Sequence, residues 1–268
     1  MLPSRRFLLL LLLLVCVVAL KANPAPFIEN KGQWEQGFDF SLKLKTARIY
    51  FFQNHLLVDT WHPNDYQQAL EQAHHPKEPT SNNGMRGHAY EVHFVNSSEA
   101  TKPFGIGAST ETYNFFLGND PARWKSNLHG FGRIHYPELW KGIDLEYKIE
   151  SGRVKYDLHL APGCNPADIQ MQYKGLDGLK IRDGKLILEK TCGNVTEMAP
   201  VAWQWIQGKK INISCNYVLK DNIVSYHLGP EYRAEWPLTI DPEIIFSTYS
   251  GSTGDNWAST ATYDDKGN

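Results

Sequence analysis

Apolar and polar residues alternate with a period of two along most of this chain. Within residues 38–44 every second residue, from Phe38 to Leu44, is apolar and those between are polar, which is typical of a strand with one buried face. Runs of this kind recur at short spacing as far as residues 238–240. The pattern therefore predicts many short strands.

One segment is compatible with a helix. Residues 63–75 contain Gln, Ala, Leu and Glu, which favour helix, although their apolar face is thin. Residues 74–84 are polar and rich in Pro, Asn and Gly. They predict a long exposed loop after the helix.

Turn residues stand between the alternating runs. Asp183-Gly184 separates two apolar alternations, and Asp-Gly is a strong signal for a two-residue hairpin turn. Asp221-Asn222 stands at a similar position. Many short strands joined by tight turns predict an all-β domain, either an antiparallel β-sandwich-like fold or an irregular barrel.

The first residues show the pattern of a secretory signal peptide. Two arginines precede an unbroken apolar run over residues 7–20, and small residues lead up to Ala22. This run of 14 residues is shorter than the ~20 that a membrane-spanning helix needs. We therefore predict a signal peptide over residues 1–22, cleaved between Ala22 and Asn23. The mature protein is expected to be secreted or at the cell surface, without a membrane span.

The net charge and the absence of known motifs argue against nucleic-acid binding and against catalysis. Without the signal peptide the chain has 24 basic and 29 acidic residues, a net charge of −5, and no basic run. Because phosphate binding needs a cationic surface, nucleic acid is not an expected partner. The sequence contains neither G-x-S-x-G nor a phosphate-binding loop. We predict no cofactor and no catalytic residues.

Cysteine and histidine spacings lack a metal-site signature. Cys164, Cys192 and Cys215 contain no C-x-x-C pair, so neither a zinc site nor any other metal site is predicted. Cys192 and Cys215 fall in strand-like stretches and could pair across neighbouring strands. The adjacent His74 and His75 would point to opposite faces of an extended chain, which favours solvent-exposed loop histidines.

A domain boundary is predicted near residue 242. Asp241-Pro242 stops the last strand, and the composition then changes to a β-rich run, a Gly/Ser turn and another strand-like run. We assign residues 23–242 to one all-β domain and residues 243–268 to the start of a repeat. Because the sequence stops within a turn, we expect it to be a piece of a longer protein.

Several motifs occur in one order along the chain: residues 27–34 (FIENKGQW), 113–121 (YNFFLGNDP), 142–147 (GIDLEY), 155–158 (KYDL) and 238–242 (LTIDP). In them the chain resembles a bacterial N-terminal domain of unknown function that precedes SBBP-type β-propeller repeats. Residues 246–255 (FSTYSGSTGD) resemble the start of the first such repeat. The resemblance implies a large exported protein with a downstream β-propeller-type region, and it implies no activity.

Three carboxylates are candidate catalytic groups. Asp144 and Glu146 share one face of a predicted strand, and Asp157 follows in the next strand. Such a pair could serve a glycosidase or bind calcium. The neighbouring Lys148, Arg153 and Lys155 favour ordinary cross-strand ion pairs instead, so hydrolase activity is the less favoured alternative.

Two tryptophans are candidate ligand-stacking residues. Trp203 and Trp205 share one face of a predicted strand, where their rings could stack on sugars. The alternative is that they fill the core or a contact between domains. The expected function is that of a non-catalytic exported structural or interaction module, with the downstream β-repeat region of the same protein as its partner. The other hypothesis is a carbohydrate-binding or adhesion module whose partner is a glycan or surface polymer.

Overall fold

The computed structural model describes residues 26–74, 84–150 and 152–246. Strands account for most of these residues, so the prediction of an all-β fold is confirmed. The predicted signal peptide with its cleavage site at Ala22 and Asn23 lies outside the described residues, as does the repeat-like sequence after residue 246.

The strands differ in length from three to sixteen residues. The described strands are β1 (Phe27–Glu29), β2 (Phe40–Lys43), β3 (Ala47–Phe51), β4 (His55–Trp61), β5 (Gly87–Phe94), β6 (Phe104–Phe115), β7 (Lys125–Trp140), β8 (Ile143–Glu150), β9 (Arg153–Leu160), β10 (Met171–Lys174), β11 (Gly178–Arg182), β12 (Lys185–Glu189), β13 (Val195–Glu197), β14 (Val201–Ile206), β15 (Lys209–Ile213), β16 (Cys215–Lys220), β17 (Ile223–Leu228), β18 (Leu238–Asp241) and β19 (Glu243–Phe246).

The predicted helix is confirmed as α1 (Pro63–His74). Asp65 in its first turn accepts hydrogen bonds from Arg86 just before β5, with Nε and Nη2 of the guanidinium 2.7 and 2.8 Å from the two carboxylate oxygens. These bonds hold the pKa of Asp65 well below its usual range. An ion pair therefore ties this polar, exposed helix to the start of β5.

The hairpin turns form where turn residues predicted them. Asp183 and Gly184 have φ angles of +51° and +73°, and Asp221 and Asn222 have φ angles of +52° and +60°. Two successive positive φ angles are the mark of the turn type that matches the twist of paired strands. These residue types adopt that conformation at low cost, which explains why the sequence signal is reliable here.

β6 and β7 are much longer than the sequence pattern indicated. Only residues 112–116 and 132–136 alternate clearly, yet the two strands pair from Phe104 to Phe115 and from Lys125 to His135. Register shifts interrupt their pairing, and Gly105, Gly130 and Gly132 contribute no side chain to the alternation. Bulges move side chains from one face to the other, so the period of two is lost although the strand continues.

The strands build one curled antiparallel sheet. From one edge the order is β16, β17, β10, β5, β4, β3, β2, β1 and β7. β1 and β8 pair with successive stretches of the same edge of β7, β6 pairs with its other edge, and β9 follows β8. At β9 the sheet divides. One branch continues through β18 to β14 and β15, and the other through β19 to β13, β12 and β11. β11 returns to lie close to β16, so the sheet is a nearly closed barrel.

Pro242 lies at the point where the sheet divides. β18 and β19 pair consecutively with the same edge of β9, through Leu238–Ile240 and then Glu243 and Ile244. Proline has no backbone N–H to donate, so the ladder breaks there. Each half can then continue to a different next strand. β19, the described strand beyond the predicted boundary at residue 242, remains part of this sheet.

The barrel interior holds a buried carboxylate surrounded by tyrosines. Glu197 on β13 is 3 % exposed. Tyr173 donates its hydroxyl to Oε1 at 2.7 Å, and Tyr156 and Tyr217 donate to Oε2 at 3.0 and 3.5 Å. The hydroxyl of Tyr226 lies 2.9 Å from that of Tyr156. The cluster thereby joins β13, β9, β10, β16 and β17 across the interior.

Burial and hydrogen bonding act in opposite directions on this carboxyl. Desolvation raises the pKa of Glu197, while the hydroxyls of Tyr173, Tyr156 and Tyr217 lower it, and the net direction is upward. The same burial raises the pKa of Tyr156 well above its ordinary value. A buried charge without such partners would be very costly, so the donors are what make this position tolerable.

The described cysteines are all free. Cys192 is buried, and Cys164 and Cys215 are partly buried. The Cys192–Cys215 bond that the sequence left open is therefore not formed. Burial raises the pKa of the Cys215 thiol to about 12, which keeps it in the less reactive protonated form.

Removing one donor from Glu197 should destabilise the barrel. Tyr173→Phe leaves Oε1 without its 2.7 Å hydrogen bond, and we expect a loss of about 1–3 kcal/mol in the free energy of unfolding, measured by urea titration. Tyr90→Phe is the matched control, because Tyr90 is 4 % exposed and makes no hydrogen bond to Glu197 among the described residues. Equal losses in the two variants would contradict the role of the hydroxyl.

Glu197 should also make stability depend on pH. Because its folded-state pKa is raised, its contribution is fully present below the unfolded-state value of about 4.3 and is lost as pH rises through the folded-state value. The free energy of unfolding of the wild type relative to Glu197→Gln should therefore fall as pH rises above about 4. Asp183→Asn, at an exposed turn, is the control. A difference that stays constant with pH would be inconsistent with a raised pKa.

Candidate functional site

The outer face of β7, β8, β9 and β18 carries most of the candidate chemistry. Alternation along β8 turns Ile143, Leu145 and Tyr147 into the core and turns Asp144 and Glu146 outward. Asp157 on β9 also points outward, and the register places it directly opposite Glu146. The structure therefore brings all three predicted carboxylates onto one surface.

Acidic residues form a row that crosses the strands. Asp157 pairs with Glu146, and Glu146 pairs in turn with His135 on β7. On the other side the pairing of Ile240 with Leu158 places Asp241 opposite Asp157. Asp157 and Glu146 are only 7 % and 8 % exposed. Like charges directly opposite one another destabilise a sheet unless other charges compensate them.

A row of basic residues runs beside the acidic row and provides that compensation. Lys155 pairs with Lys148 across β9 and β8, and Lys148 pairs with Arg133 across β8 and β7. Each base reaches diagonally to an acid. Lys148 binds Asp157, Arg133 Nη1 lies 3.1 Å from Glu146 Oε1, and Lys155 Nζ lies 3.8 Å from Asp241 Oδ2.

The ion-pair interpretation of the carboxylates is confirmed in part, because only one of the three predicted bases binds one of the three predicted acids. Lys148 binds Asp157 as predicted, whereas Arg153 binds Glu243 and the partner of Glu146 is Arg133. Asp144 lies outside the rows. Its Oδ1 accepts the backbone N–H of Glu138 at 2.7 Å, and its Oδ2 lies 3.5 Å from His135 Nε2.

Burial and neighbouring charges shift the pKa values of two side chains at the charged rows, Asp241 and Lys148. Burial raises the pKa of Asp241, and the nearby charge of Asp157 raises it further. Burial disfavours the charge of Lys148, but the hydrogen bond to Asp157 and the negative charges of Asp157, Glu150 and Asp241 together outweigh burial and raise the lysine pKa. Oδ1 of Asp157 and Oδ1 of Asp241 are buried and have no hydrogen-bond donor within the described parts of the chain.

This arrangement is better suited to holding the sheet than to acid–base chemistry. Asp157 and Glu146 each form an ion pair with a basic side chain. The described residues contain no group of three His, Cys, Asp or Glu side chains arranged to hold a metal ion. Two shallow cavities of about 530 and 410 Å³ lie elsewhere, beside Asn96 and beside Gly175. That the chain has no catalytic residues stays a prediction.

Trp203 and Trp205 lie on the outer face of β14. Trp205 is 55 % exposed, while the alternate residues Ala202 and Gln204 are buried. The core interpretation is therefore wrong for this pair, because the side chains that face the interior are those between them. Lys210 Nζ lies 4.0 Å from the centre of the Trp203 ring, a cation–π contact. One face of Trp203 is thus occupied, and Trp205 remains open to solvent.

The tryptophans adjoin the charged surface. Trp203 pairs with Thr239, which pairs with His159 on β9, and His159 pairs with Asp144 on β8. This line of pairs lies beside the acidic row, because Thr239 and His159 are each two residues from Asp241 and Asp157 on the same strands. This continuity depends on the order β14, β18, β9, which links segments far apart in sequence.

Several notable residues had no signal in the sequence. His55 and His93 lie opposite each other on β4 and β5, with parallel rings 5.1 Å apart, and His93 Nε2 lies 2.6 Å from Glu91 Oε2. Arg133 and Asp241 also joined no predicted site. Cross-strand neighbours come from distant segments, so only a known strand order could have revealed these groups.

No helix among the described residues has the length and apolarity to cross a membrane.

Comparison with known proteins gives a family and no activity. A family model described as a domain of unknown function, DUF7948, matches residues 27–243. No curated protein and no solved structure matches the chain. The matched region contains the inner tyrosine cluster, the charged rows and the tryptophan pair. Because the match covers most of the sequence, the chain belongs to the DUF7948 family of domains of unknown function.

Proposed function

We propose that this domain is a non-catalytic, exported module that caps and orients a downstream β-repeat region in a larger secreted or cell-surface protein. The observation that carries the proposal is the way the chain leaves the barrel. β19 pairs with β9 on one side through Glu243 and Ile244, and with β13 on the other through Ile244, Ile245 and Phe246. The last described strand is thus a central strand of the sheet.

A strand held on both sides has a defined direction. Any segment that follows Phe246 starts from a fixed point, instead of from a flexible linker, because β19 is hydrogen-bonded along its length. The first unit of a β array exposes an edge that invites unwanted pairing. A barrel placed directly before that unit would cover the edge and set its orientation.

The export part of the proposal rests on the sequence. Residues 1–22 have the layout of a signal peptide, and the rest of the chain carries a mild negative charge. The free cysteines are compatible with this location, because a domain of this size can bury a core without disulfide bonds.

The capping role predicts a dependence of the downstream region on the barrel. In the full-length protein, deletion of residues 27–240 should lower the soluble yield of the repeat region and its melting temperature. Ile244→Pro should also lower the melting temperature of the repeat region, because proline removes a backbone N–H donor from the middle of β19. Ile211→Pro, in the outlying β15, is the matched control. Unchanged yield and melting after the deletion would overturn the proposal.

A second function is favoured by the tryptophan ridge. We propose that Trp205, with Trp203 and Lys210 beside it, stacks against a sugar ring of a glycan or surface polymer. The support is the 55 % exposure of Trp205 on a rigid strand, since exposed aromatic rings offer large contact area at low entropic cost. The structural role does not require this binding, so the two proposals stand independently.

A glycan array probed with the wild-type chain tests this second function. Trp205→Ala should weaken binding at least tenfold, about 1.4 kcal/mol, because the stacking surface is lost. Phe116→Ala is the matched control, because Phe116 is an aromatic residue 62 % exposed at a different part of the fold. Absence of any bound glycan for the wild type would rule the function out.

A further inference from the structure

The connection between β6 and β7 holds three large apolar side chains in solvent. Phe116, Leu117 and Trp124 are 62 %, 44 % and 44 % exposed. The rings of Phe116 and Trp124 meet edge to face with centres 5.8 Å apart. We refer to residues 116–124 as the knuckle. Clustered exposed apolar side chains of this kind mark interaction surfaces.

The knuckle is a rigid structure. The indole Nε1 of Trp124 donates to the carbonyl of Gly118 at 3.3 Å, and the backbone N–H of Ala122 donates to Asp120 Oδ1 at 3.0 Å. Arg123 binds both Asp120 and Glu35. A surface that is ordered before binding loses little entropy on docking, so this loop is well suited to hold a partner.

The base of the knuckle is anchored to the domain by aromatic packing. The ring of Phe115 lies 4.9 Å from that of Trp34, and Trp34 in turn lies 5.3 Å from Phe38, which is buried. The exposed rings are therefore supported from below. Their exposure is a property of a well-packed region and not of a loose one.

The strand register places the knuckle at the end of the barrel from which the chain departs. Lys148 pairs with Arg133, so β8 runs toward its turn as β7 is followed back toward Lys125. β19 runs the same way, because Glu243 pairs with Lys155 and Ile244 pairs with Val154. The knuckle and Phe246 are thus at the same end of the sheet.

The separation can be bridged by the chain that follows. β19, β9, β8 and β7 are consecutive in the sheet, so the lateral distance is about 14 Å at ~4.8 Å per strand. The knuckle extends roughly 17 Å further along the strand direction, given ~3.3 Å per residue. Trp257 follows Phe246 by eleven residues, a reach of up to about 36 Å.

The segment that follows has the complementary chemistry. Residues 247–268 contain three aromatic residues, Tyr249, Trp257 and Tyr263, together with three Asp and one Lys. Lys125 lies next to Trp124 in the knuckle, and within the described residues it forms no ion pair with a carboxylate. Aromatic side chains can pack on the exposed rings while the net negative charge of the segment lies near this ammonium group.

We propose that the knuckle is the docking surface for residues 247–268 of the same chain. Contact with Phe116 and Leu117 on one side, and the paired strand β19 on the other, fixes the downstream region at two points. This inference rests on the proposed capping function and names the surface through which it acts.

Hydrogen–deuterium exchange on the full-length protein tests the docking. In the wild type the amides of residues 247–268 should be protected, and Phe116→Ser/Leu117→Ser should make them exchange at least tenfold faster. This double variant leaves the Trp124–Gly118 and Asp120–Ala122 hydrogen bonds in place, so the knuckle keeps its shape. Val218→Ser is the matched control, because Val218 is 42 % exposed on β16.

Three results would overturn the docking. In the first, the amides of residues 247–268 are unprotected in the wild type. In the second, they exchange equally fast in the double variant and the wild type. In the third, their protection rises with protein concentration, which would show that the knuckle binds a second copy of the protein. If the double variant lowers the melting temperature of the barrel, Leu117→Ser alone gives the same exchange test with less change in packing. Failure of docking is separable from failure of capping, because deletion of residues 27–240 tests whether the downstream region needs the domain at all, whereas the double variant alters only two side chains of the knuckle.

Discussion

The barrel depends on the satisfaction of one buried carboxylate. Glu197 lies in the interior of a largely apolar and aromatic core, and its oxygens accept hydrogen bonds from the hydroxyls of Tyr156, Tyr173 and Tyr217. These donors come from β10 and β16, which both pair with β17, and from β9, which is many strands away in the sheet order. A carboxyl in this position is tolerated only if the sheet curls enough to bring those strands together, so the cluster favours the nearly closed barrel over a flatter sheet.

β9 connects this interior to the outer surface. Tyr156 points inward to Glu197, while its neighbours Lys155 and Asp157 point outward into the rows of charge. The same strand pairs with β8, β18 and β19. Inner hydrogen bonds and outer ion pairs therefore stabilise the same junction, the one at which the sheet divides around Pro242. The candidate surface is in this sense a consequence of how the barrel is held together.

The proposed functions rely on exposed side chains that the barrel does not need for its own stability. Most of the outer carboxylates form ion pairs with Arg or Lys side chains. Trp205 on β14 and the apolar side chains of the knuckle are instead exposed to solvent. β19 gives the chain a fixed exit, and the register places the knuckle at the same end. A domain with a defined exit and a preformed apolar contact next to it is suited to hold a neighbour in one orientation.

Local sequence determined the elements of this protein. The period of two predicted most strands, helix-favouring residue types predicted α1, and Asp183-Gly184 predicted a hairpin turn, because these features depend on backbone conformation within a few residues. It also predicted that Asp144, Glu146 and Asp157 lie on neighbouring strands and that nearby bases pair with them, which holds for Lys148 and Asp157. Only the tertiary structure decided that the sheet closes as a barrel and that Trp205 faces solvent. It alone brought Glu197 to its tyrosines, Arg133 to Glu146, and Asp241 opposite Asp157. Each of these follows from the order and register of strands distant in sequence, and alternation assigns a side chain to a face without saying which face is covered.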